Sequence, residues 1–183
     1  MSAYQSLIIN IIIISLCQIY LIINYLRKKE ITKFISNVLI YVIIVALLLY
    51  EHYVKLKVPD FIIVCSLVAV IGHLLIGEYF NIYHSTKHYD RYLHLFGSFA
   101  FSLLSYSLLN TISILATEKW ITFLIVLLLG ISIGTLFEII EFIHDCISKK
   151  TMSQHGLKDT DLDLIFDTIG SIIAGFVSIL TFY

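Results

Sequence analysis

Carboxylates and imidazoles stand at helical spacing in three stretches of this chain. Asp90, Arg91 and His94 open one apolar stretch, Glu138, Glu141, His144 and Asp145 close the next, and Asp163 and Asp167 open the last. Glu141 and His144 have the i, i+3 spacing from which carboxylate-bridged metal sites in helical bundles are built. Di-iron sites of that kind use the motif twice; here it occurs once, and neither an H-E-x-x-H helix nor a nucleophile elbow is present. What remains is an oxygen-rich pocket with one or two imidazoles. Such a donor set suits Mg²⁺, Ca²⁺ or Mn²⁺, and added histidine moves the preference toward Zn²⁺ or Fe²⁺. Asp90, His94, Glu138, Glu141, Asp163 and Asp167 are the candidate ligands of a divalent cation. His94 is also a candidate base oriented by a carboxylate, and Arg91 a candidate anchor for an anion such as a lipid phosphate. The plainer alternative is a salt-bridge network in which Arg91 and His94 neutralise Glu138, Glu141 and Asp167.

The elements that must position these groups are membrane spans. The 183 residues are 59% hydrophobic and 14% charged, with a mean hydropathy of +0.94. Soluble domains use roughly 45–50% apolar and about 25% charged residues. Leu, Ile and Val fill repeated windows of about 20 residues, the length that crosses a hydrocarbon core of ~30 Å. The expected fold is all-α, a polytopic bundle of about six spans near 4–26, 34–54, 60–83, 90–115, 119–146 and 162–182. Apolar runs such as Leu7 to Leu16 lack the alternation of barrel strands. The first span has its basic residues after the apolar run, unlike a cleavable signal peptide. One proline and no linker-like stretch predict a single integral membrane domain over 1–183. The net charge of −1 excludes a nucleic-acid partner, since no basic stripe faces phosphates. Cys17, Cys65 and Cys146 are too scattered for a disulfide framework or a CxxC site.

Charge asymmetry orients the spans. Nine of the twelve Lys and Arg residues fall in the odd connections: Arg27, Lys28, Lys29, Lys33, Lys87, Arg91, Lys149, Lys150 and Lys158. Lys55, Lys57 and Lys119 occupy the even ones. The positive-inside rule then makes the odd connections cytoplasmic in a bacterial cytoplasmic membrane, with both termini outside. The Arg27–Lys33 stretch is a topology signal and a contact for anionic lipid. Tyr50, Tyr53, Tyr79, Tyr83, Trp120 and Tyr183 suit interfacial belts.

Residues three, four and seven apart share a helical face. Gly130, Gly134, Glu138, Glu141 and Asp145 form one such stripe, Asp90, His94 and Gly97 a second, and Asp163, Asp167 and Gly170 a third. Small residues let neighbouring backbones approach, so the three helices are expected to pack with their acids converging. The spacing Asp90-x-x-x-His94-x-x-Gly97-Ser98 is echoed by Asp163-x-x-x-Asp167-x-x-Gly170-Ser171. Each block follows a span with Gly and Glu near its end, which suggests that spans three and four are a degenerate copy of five and six. His73, on a face with Gly77, Phe80 and His84, reads as a hydrogen-bonded packing residue. His84, His88, His155 and Lys158 read as loop residues, and Asp159, Thr160 and Asp161 as N-cap candidates for the last span.

These blocks also carry a resemblance. Tyr89-Asp90-Arg91-x-x-His94-x-x-Gly97, Phe137-Glu138-Ile139-Ile140-Glu141 and Asp159-Thr160-x-Leu162-Asp163-x-x-x-Asp167-x-x-Gly170 resemble the YjdF-like family of small bacterial integral membrane proteins. More distantly they are similar to VanZ-like proteins. The resemblance covers about residues 85–176 and implies a compact helical membrane domain. VanZ-like proteins are associated with glycopeptide resistance and the cell envelope. Their usual Gln after the central Glu, and their Arg before the final Asp block, are absent here, so the resistance role does not carry over.

Two functions follow as expectations. The first is a membrane-embedded enzyme or metal-binding protein acting on a lipid or envelope precursor, with the acids as ligands, His94 as base or ligand and Arg91 as anion anchor. The second is a small proton-coupled transporter, in which the same carboxylates titrate. A transporter needs polar groups near the midplane, whereas the middles of spans one, two and six are nearly free of ionisable residues. An intramembrane protease of the CAAX type would want paired glutamates followed by Arg and later histidines, and no His follows His155.

Overall fold

The computed structural model describes residues 3–56, 58–86, 88–112, 118–148 and 156–183. Every regular element is a helix. They are α1 (Ala3–Arg27), α2 (Ile31–Val54), α3 (Asp60–Ile71) continuing as a π-helix (Gly72–Tyr79), α4 (Ile82–Ser85), α5 (Tyr89–Ile112), α6 (Lys119–Ser148) and α7 (Leu157–Phe182). Six helices are long and apolar enough to cross a membrane, counting α3 and its π-helical continuation as one. Lys57, Lys87, Lys149, Lys150 and His155, and the expected end of the fourth span at 113–115, lie outside the described residues.

Two boundaries depart from the expectation. The third apolar stretch stops at Tyr79 instead of running to 83, because Asn81 takes a left-handed φ of 59° that no continuous helix accommodates. The last helix begins at Leu157, after Gly156 at φ 108°. Asp159, Thr160 and Asp161 are therefore inside the helix and do not cap it. Asp159 instead lies in the first turn, where a carboxylate complements the helix dipole. Asp163 and Asp167 sit one to two turns deeper than a start at 162 implies.

The described residues form two compact units, one up to Asn81 and one from Ile82 onward. In the first, α1 buries Leu7, Ile14, Leu21 and Tyr25, seven or four residues apart. Leu21, Tyr25 and Leu74 make a small core with Phe34, Ile40, Val70, Leu75 and Tyr79 packed on it. The Tyr25 and Tyr79 rings meet edge to face at 5.8 Å, and Lys28 and Lys33 lie over the Tyr79 and Tyr25 rings at 4.6 and 5.5 Å. The π-helix changes the reading of His73. Its i→i+5 hydrogen bonding stacks residues five apart, which an α-helix of 3.6 residues per turn would separate by about 140°. His73 Nε2 lies 3.4 Å from Glu78 Oε1, a polar partner five residues on in place of the α-helical face with Phe80 and His84.

In the second unit α5, α6 and α7 bury one stripe each. On α6 it is Thr122, Val126, Gly130, Gly134 and Glu138, every fourth residue; on α7, Asp163, Asp167, Gly170, Ser171, Ala174 and Ser178; on α5, His94, Ser98, Ser102 and Tyr106. The contacts are close enough that a methyl group has no room at several glycines. A Cβ on Gly130 would run into the Ser102 and Ser171 side chains, one on Gly134 into the Asp167 carboxylate, and one on Gly170 into the Leu95 carbonyl. Gly97, expected to serve the same purpose, has nothing within 4 Å of its added Cβ. At the end opposite the acids, the Tyr106 and Thr122 hydroxyls lie 3.0 Å apart and those of Thr122 and Tyr183 2.9 Å apart. The remaining faces expose Leu124, Leu128, Leu136, Ile139, Ile140, Phe142 and Ile143, a surface suited to lipid.

Gly170→Ala is expected to lower stability by about 1–3 kcal/mol, because a backbone carbonyl cannot move aside as a side chain does. Gly97→Ala should instead be neutral or gain up to about 1 kcal/mol of helix propensity. Denaturant unfolding in mixed micelles measures both, and equal losses would contradict the packing described.

Candidate functional site

The site is built around His94, buried on the second turn of α5 at 7% exposure. Its Nδ1 lies 3.2 Å from each carboxylate oxygen of Asp167 on α7. Asp167 is held in turn by Ser98, whose hydroxyl donates to Oδ1 at 2.5 Å. Gly134 on α6 provides the space that the carboxylate fills. The Ser171 hydroxyl donates to the Asp167 carbonyl at 2.6 Å, and Ser102 donates to the Ser98 carbonyl. The Phe137 ring meets the imidazole edge to face at 5.5 Å and fixes its plane. A carboxylate on Nδ1 favours the tautomer whose proton is there, which leaves the Nε2 lone pair available.

Nε2 faces two further acids, and a third lies close by. Glu138 Oε1 from α6 lies 3.5 Å away, and Asp90 Oδ1, one turn earlier on α5, lies at 3.7 Å. Ligand atoms of Asp90, His94 and Asp163 all fall within 4.8 Å of one another. Glu141 is within electrostatic reach of Asp90, Glu138, His94 and Asp163. Among the described residues, neither His94 Nε2 nor Asp163 Oδ1 has a hydrogen-bond partner, although His94 and Asp163 are both more than nine-tenths buried. Buried polar atoms are normally paired, and four carboxylates around one imidazole leave negative charge that protons or a cation must balance. Two ligands of one ion, each roughly 2.0–2.6 Å from it, lie no more than about 5 Å apart. The Asp90, His94 and Asp163 atoms meet that limit.

The helices therefore converge as expected, and a buried His–carboxylate network is present. The six candidate ligands take different positions within it. Asp90 and Glu138 face Nε2, Asp163 and Glu141 lie near them, and Asp167 lies on the opposite, Nδ1 side of the ring. Arg91 pairs with residues outside this set. Its Nη2 is 3.5 Å from Asp159 Oδ1 and its Nη1 3.2 Å from His88 Nδ1. His144 is 60% exposed and pairs loosely with Asp145 at 3.7 Å. Sequence reasoning passed over Ser98 as a functional group. Its position one turn after His94, on the same face, was the available signal.

Helices of this length and apolarity, closing on a buried ionic cluster, define a multi-span helical membrane protein. Residues 9–182 match the family described as predicted membrane protein (DUF2238), and the chain belongs to that family. It is also 35% identical over 121 residues to a protein of Thermotoga maritima described as uncharacterized, an alignment covering 66% of this chain and 63% of that relative. The chain thus spans less than two thirds of the relative's length. No solved structure matches the chain.

Asp167→Asn is expected to destabilise the second unit by about 3–5 kcal/mol, the usual cost of removing one partner of a buried charged pair. Ser98→Ala should cost about 1.5–3 kcal/mol, as for a hydrogen bond to a charged group. Thermal unfolding of both variants and of the double variant completes the cycle. Strict additivity would show that Ser98 and Asp167 do not act as one unit.

Proposed function

We propose that the protein holds a divalent cation at one face of the membrane, where it acts on a lipid or envelope precursor. His94 Nε2, Asp90, Asp163 and Glu138 are the proposed ligands, with Glu141 nearby and Asp167 orienting the imidazole. The observation that carries this reading is the pair of buried, hydrogen-bond-free atoms, His94 Nε2 and Asp163 Oδ1, sharing a space with Asp90. A carboxylate on the far nitrogen of a ligating histidine is the usual supporting arrangement of a metal site. His94 is a ligand in this reading; as a base it would work without metal, using the same Nε2. The blocks that resemble YjdF-like and VanZ-like proteins contain these residues, which fits a site shared across such proteins.

Close packing weighs against transport through the second unit. Below the cluster, Gly130 abuts Ser102 and Ser171, and Gly134 abuts Asp167, so the helices are in close contact at both levels. A one-sided site is the reading this favours. The positive-inside asymmetry puts that side in the cytoplasm of a bacterial cell, with both termini outside and the chain acting as one integral membrane domain. The competing reading, a purely structural network, draws on the same ion pairs.

Elemental analysis after loading with Mn²⁺ or Zn²⁺ separates the two. Wild type should retain close to one metal per chain, and His94→Gln and Asp163→Asn should retain none. Asp167→Asn should bind about 10–100-fold more weakly, as supporting-residue losses do. Folded wild-type protein that retains no metal would leave the structural network as the answer. For orientation, Cys146 is exposed near the end of α6. A membrane-impermeant thiol reagent should label it only after cells are permeabilised; labelling of intact cells would invert the topology.

A further inference from the structure

α5 and α7 run in the same direction from the acidic end, and their side chains meet in successive rungs. Ser98 contacts Asp167, and Ser102 and Ser171 lie together against Gly130. Asp90 and His94 stand near Asp163 in the next rung. The outermost rung is Arg91 with Asp159, one turn nearer the helix starts. The Arg91 and Asp159 side chains are 19% and 21% exposed and that of Asp90 is 21%, whereas that of His94 is 5%. Arg91 therefore stands with Asp90 and Asp159 at the more open rim, above His94 and the buried Asp163.

Its guanidinium is only partly engaged. The Nε–H is buried with no hydrogen-bond partner, and Nη2, on the same edge, has the long 3.5 Å contact to Asp159. The firmer contact, to His88, uses Nη1 on the other side. An Nε/Nη2 edge is the fork that receives two oxygens of an oxyanion. The positive ends of the α5 and α7 dipoles lie at this same end, which also favours an anion. Two deeper atoms, His94 Nε2 and Asp163 Oδ1, lack hydrogen-bond partners as well.

We propose that the ligand of this site carries a phosphate group, one non-bridging oxygen binding the cation at His94, Asp90 and Asp163 and others binding the Nε/Nη2 edge of Arg91. This rests on the cation reading above. A carboxylate has only two oxygens and would satisfy the fork or the cation, whereas a phosphate offers enough to meet both. Asp159 then acts as a stand-in partner that gives up Arg91 when the phosphate enters. The phosphate must be a monoester or free phosphate, since a phosphodiester has only two non-bridging oxygens; it is either a monoester lipid headgroup arriving from the bilayer or free phosphate from water, and the chemistry at Arg91 is the same for both.

Paramagnetic broadening of ³¹P resonances by bound Mn²⁺ tests the proposal on full-length protein in phosphate-free micelles. One arm adds inorganic phosphate and the other dopes the micelles with phosphatidic acid. Broadening in either arm supports the proposal and identifies the source. Arg91→Gln should keep its Mn²⁺ and weaken phosphate binding by about tenfold or more, the loss expected for a charge-assisted pair. Arg91→Lys should recover part of it, and Asp159→Asn, by releasing Arg91, should tighten it. Mn²⁺ bound with no broadening in either arm overturns the phosphate inference and leaves the cation reading standing. Absence of bound Mn²⁺ in folded wild type overturns the cation reading itself. Unchanged phosphate affinity in Arg91→Gln, with Asp159→Asn also unchanged, overturns the role of Arg91.

Discussion

The second unit depends on the pairing of His94 with Asp167 across α5 and α7. Both are nearly inaccessible, and ionisable groups beside hydrocarbon are tolerated only when they meet partners. That requirement fixes more than two side chains. Asp167 needs Ser98 from α5 as a donor and the vacancy of Gly134 on α6, so one carboxylate ties together three helices. Rotating any of them by one residue, about 100°, would strand a buried charge. Apolar packing against lipid-like neighbours has no such selectivity, because leucine fits many rotations and lipid tails are as apolar as leucine.

Small residues follow from the same constraint. For Asp167 to reach both His94 and Ser98, α7 must lie nearly in backbone contact with α5, and the Gly170 approach to the Leu95 carbonyl shows how near. Serines then fill the remaining interface with hydroxyls that donate back to their own helices, as Ser102 does to the Ser98 carbonyl and Ser171 to the Asp167 carbonyl. Such bonding leaves no polar atom to be hydrated, which suits a dry interior. Gly97 shows that a glycine at the right spacing is not enough; its side of α5 meets nothing within 4 Å.

Much of this was legible in the residues alone. Continuous apolar windows gave six crossings, and the spacing of acids and glycines gave the inward faces of α5, α6 and α7. The Asp90 and Asp163 blocks do meet, since His94 faces Asp167 and Asp90 lies near Asp163, a juxtaposition of α5 and α7 that carries no information about a repeat. Periodicity reports which side of a helix is inward, however, and not how deep a neighbouring helix sits against it. The division of labour around the imidazole, with Asp167 on Nδ1 and Asp90 and Glu138 on Nε2, is set by that axial register. His73 escaped for a related reason. A 3.6-residue period cannot foresee a π-helical segment, and only i→i+5 geometry brings Glu78 beside it.

The axial position of the cluster also decides what kind of chemistry it can host. Glu138 lies 19 residues after Lys119 on α6, about 28 Å at 1.5 Å per residue, close to one hydrocarbon thickness. Lys119 lies at the start of α6, on the side where Tyr106, Thr122 and Tyr183 share neutral hydroxyl contacts. The same three helices thus carry neutral hydrogen bonds toward one end and concentrated charge toward the other. Ionic groups nearer a helix end avoid part of the insertion cost they would incur at a hydrocarbon midplane. The buried imidazole, the acids about it and the arginine nearer the helix starts gather at that one end, with the close-packed serine and glycine layer beneath them.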